Sequence, residues 1–220
     1  MAMCNFQKWE EQLKLLYEAY MRICKAEDVK YKKDIIATQE EVIKLEEKLG
    51  TSIPVSLRDT FLKMSKAIEF SAFLPQDFSF PKELKGIFSA YFTISLNEMM
   101  EAEESRRSWV DGCFSNVEDD YDKVWHNKLG FMTVGTGDVI AFDLSDSKED
   151  KRVVYLSHDG CESHGVVLGE TFADYFDSLL LIGGCGNEDW QMMPFINNLK
   201  GLDAYSENAN TYRKLIGLKL

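Results

Sequence analysis

Lys128-Leu129-Gly130-Phe131-Met132-Thr133-Val134-Gly135-Thr136-Gly137-Asp138-Val139-Ile140-Ala141-Phe142-Asp143-Leu144 holds two short apolar runs, Leu129 to Val134 and Val139 to Leu144, on either side of a glycine-rich turn. Runs of this length bounded by turn residues predict strands. Two more follow closely, Val153 to Leu156 and Gly165 to Leu168, with Asp159-Gly160 as a hairpin signal between them. No stretch long enough for a crossover helix separates the four runs, so an antiparallel meander is expected. Gly135-Thr136-Gly137-Asp138 does not form a phosphate loop, because a strand pattern follows it and no Gly-Lys-Ser/Thr is present. Its glycines permit positive φ in the turn, and Asp138 is expected to bond local backbone at a worth of about 1 kcal/mol.

Helical patterns flank this meander. Phe6, Trp9, Leu13, Leu16, Tyr20 and Ile23 recur at spacings of three and four and form one apolar stripe on a helix over residues 5–25. Lys30-Tyr31-Lys32-Lys33 then reads as a solvated connection. Thr38-Gln39-Glu40-Glu41 is a capping box that opens a helix carrying Val42, Leu45 and Leu49, and Gly50 stands at its left-handed C-terminal cap. Pro54 opens the next helix, with Leu57, Phe61, Leu62 and Met64 as its buried side. Residues 67–93 are interrupted by Pro75, Pro81 and Gly86 and predict irregular structure with one short strand near Tyr91 to Ile94. Ser95-Leu96-Asn97-Glu98 reads as a second capping box for a helix ending near Gly112. Beyond the meander, Thr171 caps a helix through Leu180 that stops at Gly183-Gly184, and Tyr212, Leu215 and Ile216 mark a last amphipathic stretch.

With 220 residues and 45% hydrophobic content the chain can bury a sizeable core, and one domain over 1–220 is expected. No window supplies the eighteen or so apolar residues of a membrane helix, and the first residues lack a basic segment followed by an apolar run. The five cysteines, Cys4, Cys24, Cys113, Cys161 and Cys185, are odd in number and contain no C-x-x-C pair. Free thiols and a cytoplasmic location are the expectation. A formal charge of -12 opposes binding to nucleic-acid phosphate; it is compatible with a basic partner, but ordinary solubility is the preferred reading of the charge alone.

His158-Asp159-Gly160-Cys161-Glu162-Ser163-His164 contains H-x-x-C-x-x-H, which offers imidazole and thiolate to a zinc ion, but no fourth ligand is apparent. A Cys161 nucleophile assisted by His158 or His164 would need a positioned base and a depressed thiol pKa. The turn reading is preferred, so no catalytic, cofactor or metal residue is assigned. Asp111, Glu118, Asp119, Asp120 and Asp122 crowd a predicted loop without calcium-ligand spacing. They form either a solvated loop or a recognition patch for a basic protein.

Ile43 and Glu46 leading to Leu49-Gly50, then Ile53-Pro54 with Leu57 and Phe61, form the first part of a longer order of landmarks. Trp125 ahead of Leu129-Gly130-Phe131, Gly135-Thr136-Gly137-Asp138 with Ile140 and Asp143, Tyr155 with His158-Asp159, and Phe172 to Leu180 complete it. This order, over residues 40–182, resembles the SUKH superfamily, which includes immunity proteins of bacterial toxin systems and fungal regulators of cell-wall glucan synthesis. Lys63-Met64-Ser65-Lys66-Ala67 departs from the Asn-Gly that members typically carry there, and the 5–25 helix, residues 67–93 and a C-terminal helical extension over 184–220 lie outside the pattern. The resemblance implies an α+β fold, with helices flanking an antiparallel-type central sheet of about four to six strands, and no active site to transfer. It implies a protein-binding module, either an immunity protein that neutralises a toxin such as a nuclease or a regulatory scaffold. An enzyme using the His158, Cys161 and His164 region is the alternative from another class.

Overall fold

The computed structural model describes residues 4–145, 147–197 and 201–219. Helix α1 (Phe6–Ile23) is followed by strand β1 (Val29–Lys33), helices α2 (Gln39–Leu49) and α3 (Val55–Lys63), and strands β2 (Ala67–Phe73) and β3 (Ser89–Ser95). Helix α4 (Met99–Gly112) and the single turn α5 (Asp122–Trp125) lead into strands β4 (Lys128–Thr133), β5 (Val139–Asp143), β6 (Val153–Leu156) and β7 (Val167–Gly169). Helix α6 (Phe172–Leu181), the short α7 (Asp189–Met192), the ribbon β8 (Ile196–Asn197) and β9 (Gly201–Leu202), and helix α8 (Glu207–Leu215) complete the order.

The protein is α+β with antiparallel sheets. Its strands divide between a three-stranded sheet in the order β1-β2-β3, the meander β4-β5-β6-β7, and the β8-β9 ribbon. Thr38 closes the expected capping box, accepting from the Glu41 N–H while Glu41 reaches back to the Thr38 N–H. Gly50 takes φ +72° where α2 ends. Asn5 caps α1, whose Trp9, Leu13, Leu16 and Tyr20 are fully buried. Trp9 meets Phe172 and Phe176 edge-on, and the Tyr20 hydroxyl bonds the Gly183 carbonyl and the Tyr212 hydroxyl, both at 2.9 Å. The helix outside the family pattern therefore packs in the same buried core as α6 and α8.

Three local expectations are corrected. Lys30 to Lys33 is not a solvated connection but part of β1, an outer strand whose lysines keep their charge in water while Tyr31 packs against Tyr17 and Phe70. Residues 67–95 hold two strands, because Ile68, Phe70 and Ala72 alternate with Glu69 and Ser71, and Ala90, Phe92 and Ile94 alternate with Tyr91 and Thr93. The prolines occupy only the connection between them. Ser95 to Glu98 forms half a box at most: Ser95 still pairs with Ala67 in the sheet, its hydroxyl accepts weakly from the Glu98 N–H at 3.4 Å, and Glu98 makes no side-chain cap.

Both faces of the meander are covered. Phe131, Ile140, Phe142, Val153, Tyr155 and Leu168 face the main core, while Val139, Ala141, Val154 and Leu156 face a second cluster around Trp125. Helix α4 approaches β4 so closely that a Cβ on Gly130 would stand 2.6 Å from the Ala102 carbonyl oxygen. The next residue on the helix, Glu103, is buried there, accepting from the Gly130 N–H at 2.8 Å and from both Arg106 and Arg107. Arg106 donates onward to the Trp125 carbonyl at 2.8 Å, and Arg107 to the Leu49 carbonyl at 3.0 Å.

Burial alone would raise the Glu103 pKa, but hydrogen bonds from Arg106, Gly130 and Arg107 outweigh it and hold the carboxyl below its ordinary value. Glutamate in an unfolded chain titrates near pH 4.3, so this stabilisation is complete above that value and is lost as pH falls through the lower folded one. Chemical denaturation of Glu103→Gln should show a loss of about 3 kcal/mol at pH 7, from stranding Arg106, and a shallower decline in stability below about pH 4.5 than the parent. Gly130→Ala should cost about 2 kcal/mol or more by the same measurement, since its methyl group meets helix backbone instead of a side chain that could rotate away.

Candidate functional site

The turn from Val134 to Asp138 closes on itself, with the Val134 N–H donating to the Asp138 carbonyl and the Gly137 N–H to the Val134 carbonyl, both at 2.9 Å. Gly137 adopts φ +103°, and its carbonyl accepts from Trp109 Nε1 at 2.8 Å. Asp138 is thereby turned inward. Its carboxylate is buried and takes four donors: the Thr136 hydroxyl at 3.1 Å, the Tyr155 hydroxyl at 2.8 Å, the His158 N–H at 2.9 Å and His158 Nδ1 at 2.6 Å. The His158 ring lies on Trp109 at 4.7 Å between centroids, and Trp109 neighbours Trp125, which stacks on Phe114 at 5.0 Å. Trp109, Tyr121 and Phe114 thus roof the outer face of the meander.

The structure brings Trp125, Gly137, Asp138 and His158 into one cluster. Asp159 caps the next turn by accepting from the Ser157 hydroxyl at 2.6 Å, while Gly135 lies at the open edge of the β4-β5 turn. Leu49, Gly50 and Pro54 stay apart at the α2-α3 junction, joined to the cluster's helix through Arg107. Trp109, Tyr121 and Glu103 were not singled out from sequence. Trp109 sits in a polar helical stretch, Ser105-Arg106-Arg107-Ser108-Trp109, where no turn or strand signal marks it.

The H-x-x-C-x-x-H spacing does not converge on one point. His164 Nδ1 accepts from the Ser157 N–H at 3.1 Å and Nε2 faces the Tyr121 carbonyl at 3.0 Å, an arrangement that requires the neutral Nε2–H tautomer. Burial, the largest influence, lowers the His164 pKa and agrees with that tautomer. Its ring also lies 3.8 Å from that of Tyr121. Both His164 nitrogens are therefore occupied, and the third histidine, His126, bonds the Phe114 carbonyl through Nε2 at 2.8 Å. Burial raises the Cys161 thiol pKa above its ordinary value, and the sulfur pairs with the Ser163 hydroxyl at 2.6 Å. Among the described residues no group of three or more histidine, cysteine or acidic side chains could hold a metal ion.

The acidic residues split into two groups. Asp119 accepts from the Tyr121 and Asp122 N–H groups, which lower its pKa, and Asp122 accepts from the Asn116 N–H at 3.0 Å. Those two shape the loop. Asp111, on the last turn of α4, and Glu118 are exposed, and Asp120 reaches solvent beside Lys123 with its side chain 95% accessible.

Asp138→Ala would leave the buried Tyr155 hydroxyl and the His158 N–H without their acceptor, so the turn bond anticipated at about 1 kcal/mol is a larger matter. Urea denaturation should report a loss of about 3 kcal/mol for Asp138→Ala, and a smaller loss for Asp138→Asn, which keeps one acceptor oxygen. An unchanged denaturation midpoint in the alanine variant would remove Asp138 from this role.

Comparison with curated proteins gives no match. The model of the SMI1/KNR4 family (SUKH-1) matches residues 36–178, a span that runs from the α2 capping box into α6 and takes in the whole Asp138 cluster. With well over half of its length matched in this way, the chain belongs to the SMI1/KNR4 family (SUKH-1).

Proposed function

We propose that the protein acts by binding another protein, and that its role is that of an immunity protein neutralising a basic toxin domain such as a nuclease. The observation that carries this reading is the division of labour in the segment from Trp109 to Trp125. Its rings and the polar groups around Asp138 are engaged in holding one another, while Asp111, Glu118 and Asp120 project from the same segment into solvent. Membership of the SMI1/KNR4 family supports a binding role over catalysis.

A chain of charge -12 draws a basic protein toward it and competes for surfaces that would otherwise take nucleic-acid phosphate. Exposed carboxylates on a rigid platform act chiefly on the encounter rate, since their long-range field steers approach and their own desolvation on docking is slight. The roof of Trp109, Phe114 and Tyr121 over the buried Trp125 supplies that platform.

Co-expression with toxin genes that neighbour its own, followed by co-purification, tests the reading. One basic toxin domain should bind and lose toxicity. Combined Asp111→Lys, Glu118→Lys and Asp120→Lys substitution should slow association roughly ten-fold at low salt with unchanged thermal stability. If neighbouring genes encode no toxin and no basic protein co-purifies, the immunity role is abandoned. Recovery of a stable endogenous partner would favour the regulatory scaffold.

A further inference from the structure

Phe73, Phe88, Tyr91 and Trp190 are exposed at 50%, 44%, 39% and 46%, leaving only Tyr205 among other described aromatic residues so open to water. The first three gather at one end of the β2-β3 pair. Phe73 and Tyr91 lie on the same outer face of the sheet, as the pairings Phe73 with Ser89 and Ser71 with Tyr91 require, and Leu74 N–H donates to the Phe88 carbonyl at 2.9 Å. Trp190 closes the same end, since a Cβ on Gly86 would lie 3.4 Å from its ring.

Phe73, Phe88 and Tyr91 border a cavity of about 260 Å³ whose opposite wall is the Thr133 to Gly135 turn with Asn187 and Glu188. It is smaller than the roughly 300–1,000 Å³ of small-molecule sites and is sized for a single side chain. Its frame is tied. Gln191 Oε1 accepts from the Phe88 and Ser89 N–H groups at 3.0 and 3.1 Å, and Asn187 Nδ2 donates to the Thr133 carbonyl at 3.2 Å. Among the described residues Glu188 is the one charged side chain lining the space, and its carboxylate accepts from Gln191 Nε2.

We propose that this cavity is a docking pocket for an arginine side chain of a basic partner protein. Resting on the protein-binding reading above, the assignment adds a face and an anchor to it. A guanidinium stacks on aromatic faces, donates in a planar fork to a carboxylate, and is more weakly hydrated than an ammonium. Open rings beside a lone carboxylate complement that chemistry, and the tied frame spares the complex the entropy of ordering it. An apolar side chain would cover the rings but leave Glu188 desolvated without a counter-charge.

The probes are N-acetyl-arginine amide, with the lysine and leucine counterparts as controls, titrated into the isotope-labelled protein and followed by amide chemical shifts. Arginine should shift the amides of Phe88 to Tyr91, Thr133 to Gly135 and Asn187 to Glu188. It should bind about three-fold or more tightly than lysine, and Glu188→Gln and Phe88→Ser should each abolish the localised shifts while the melting temperature stays within a few degrees. Shifts that spread across the acidic residues 111–122 and survive Glu188→Gln would overturn the pocket, as would leucine binding as well as arginine. A toxin partner bound with unchanged affinity by both variants would also overturn it, while leaving the protein-binding reading standing.

Discussion

Helix α4 lies with its backbone against β4 at Gly130, and much of the remaining architecture follows from that contact. Only a residue without a side chain permits the approach, and a helix carbonyl so close to a strand brings buried polar groups that must be satisfied. Glu103 meets that requirement by bonding the strand's N–H and two arginines at once. Each arginine then holds another part of the molecule: Arg106 the Trp125 carbonyl, and Arg107 the end of α2. One carboxylate thus links a helix, a strand, a loop and a helix terminus. The network is a constraint on arrangement more than a source of net stability, because desolvating its charges offsets much of their attraction.

The same contact sets where Trp109 sits. Held two turns further along α4, its indole reaches over the meander to the Gly137 carbonyl and lies on His158. Sheets with both faces buried need apolar material on each side, and here the second side is the end of α4 together with a segment of loop and a single helical turn. Such a cover is only as firm as its ties. Asp138, His158, His164 and Tyr121 supply them, each accepting or donating to the turns at the end of the meander. Residue types suited to acid–base chemistry are here consumed by hydrogen bonding.

Under the proposed binding role, two features of the exterior matter. The carboxylates on the loop and the aromatic rings at the end of the three-stranded sheet occupy different regions of the surface and contribute different physics. Charges act through a long-range field that salt screens, whereas rings act only on contact and depend on the water they release. A partner recognised by both would be guided by the first and held by the second.

Elements governed by near neighbours were legible in the chain itself. The Thr38 capping box, the left-handed Gly50, the α1 stripe and the four strands of the meander depend on periodicity and on turn chemistry within a few residues. Strands β2 and β3 were obscured because phenylalanine density and the intervening prolines hid an alternation that only cross-strand pairing makes decisive. Ser95-Leu96-Asn97-Glu98 has the residues of a capping box, yet sheet pairing claims Ser95 first. The ordered landmarks by themselves identified the family and the antiparallel α+β class. Tertiary structure alone decided that Glu103 and Trp109 are central, that Asp119 and Asp122 shape their loop, and that Phe73, Phe88 and Tyr91 share one rim. Their partners lie tens of residues away along the chain, and burial and hydrogen bonding are set by proximity in space, which local pattern does not encode.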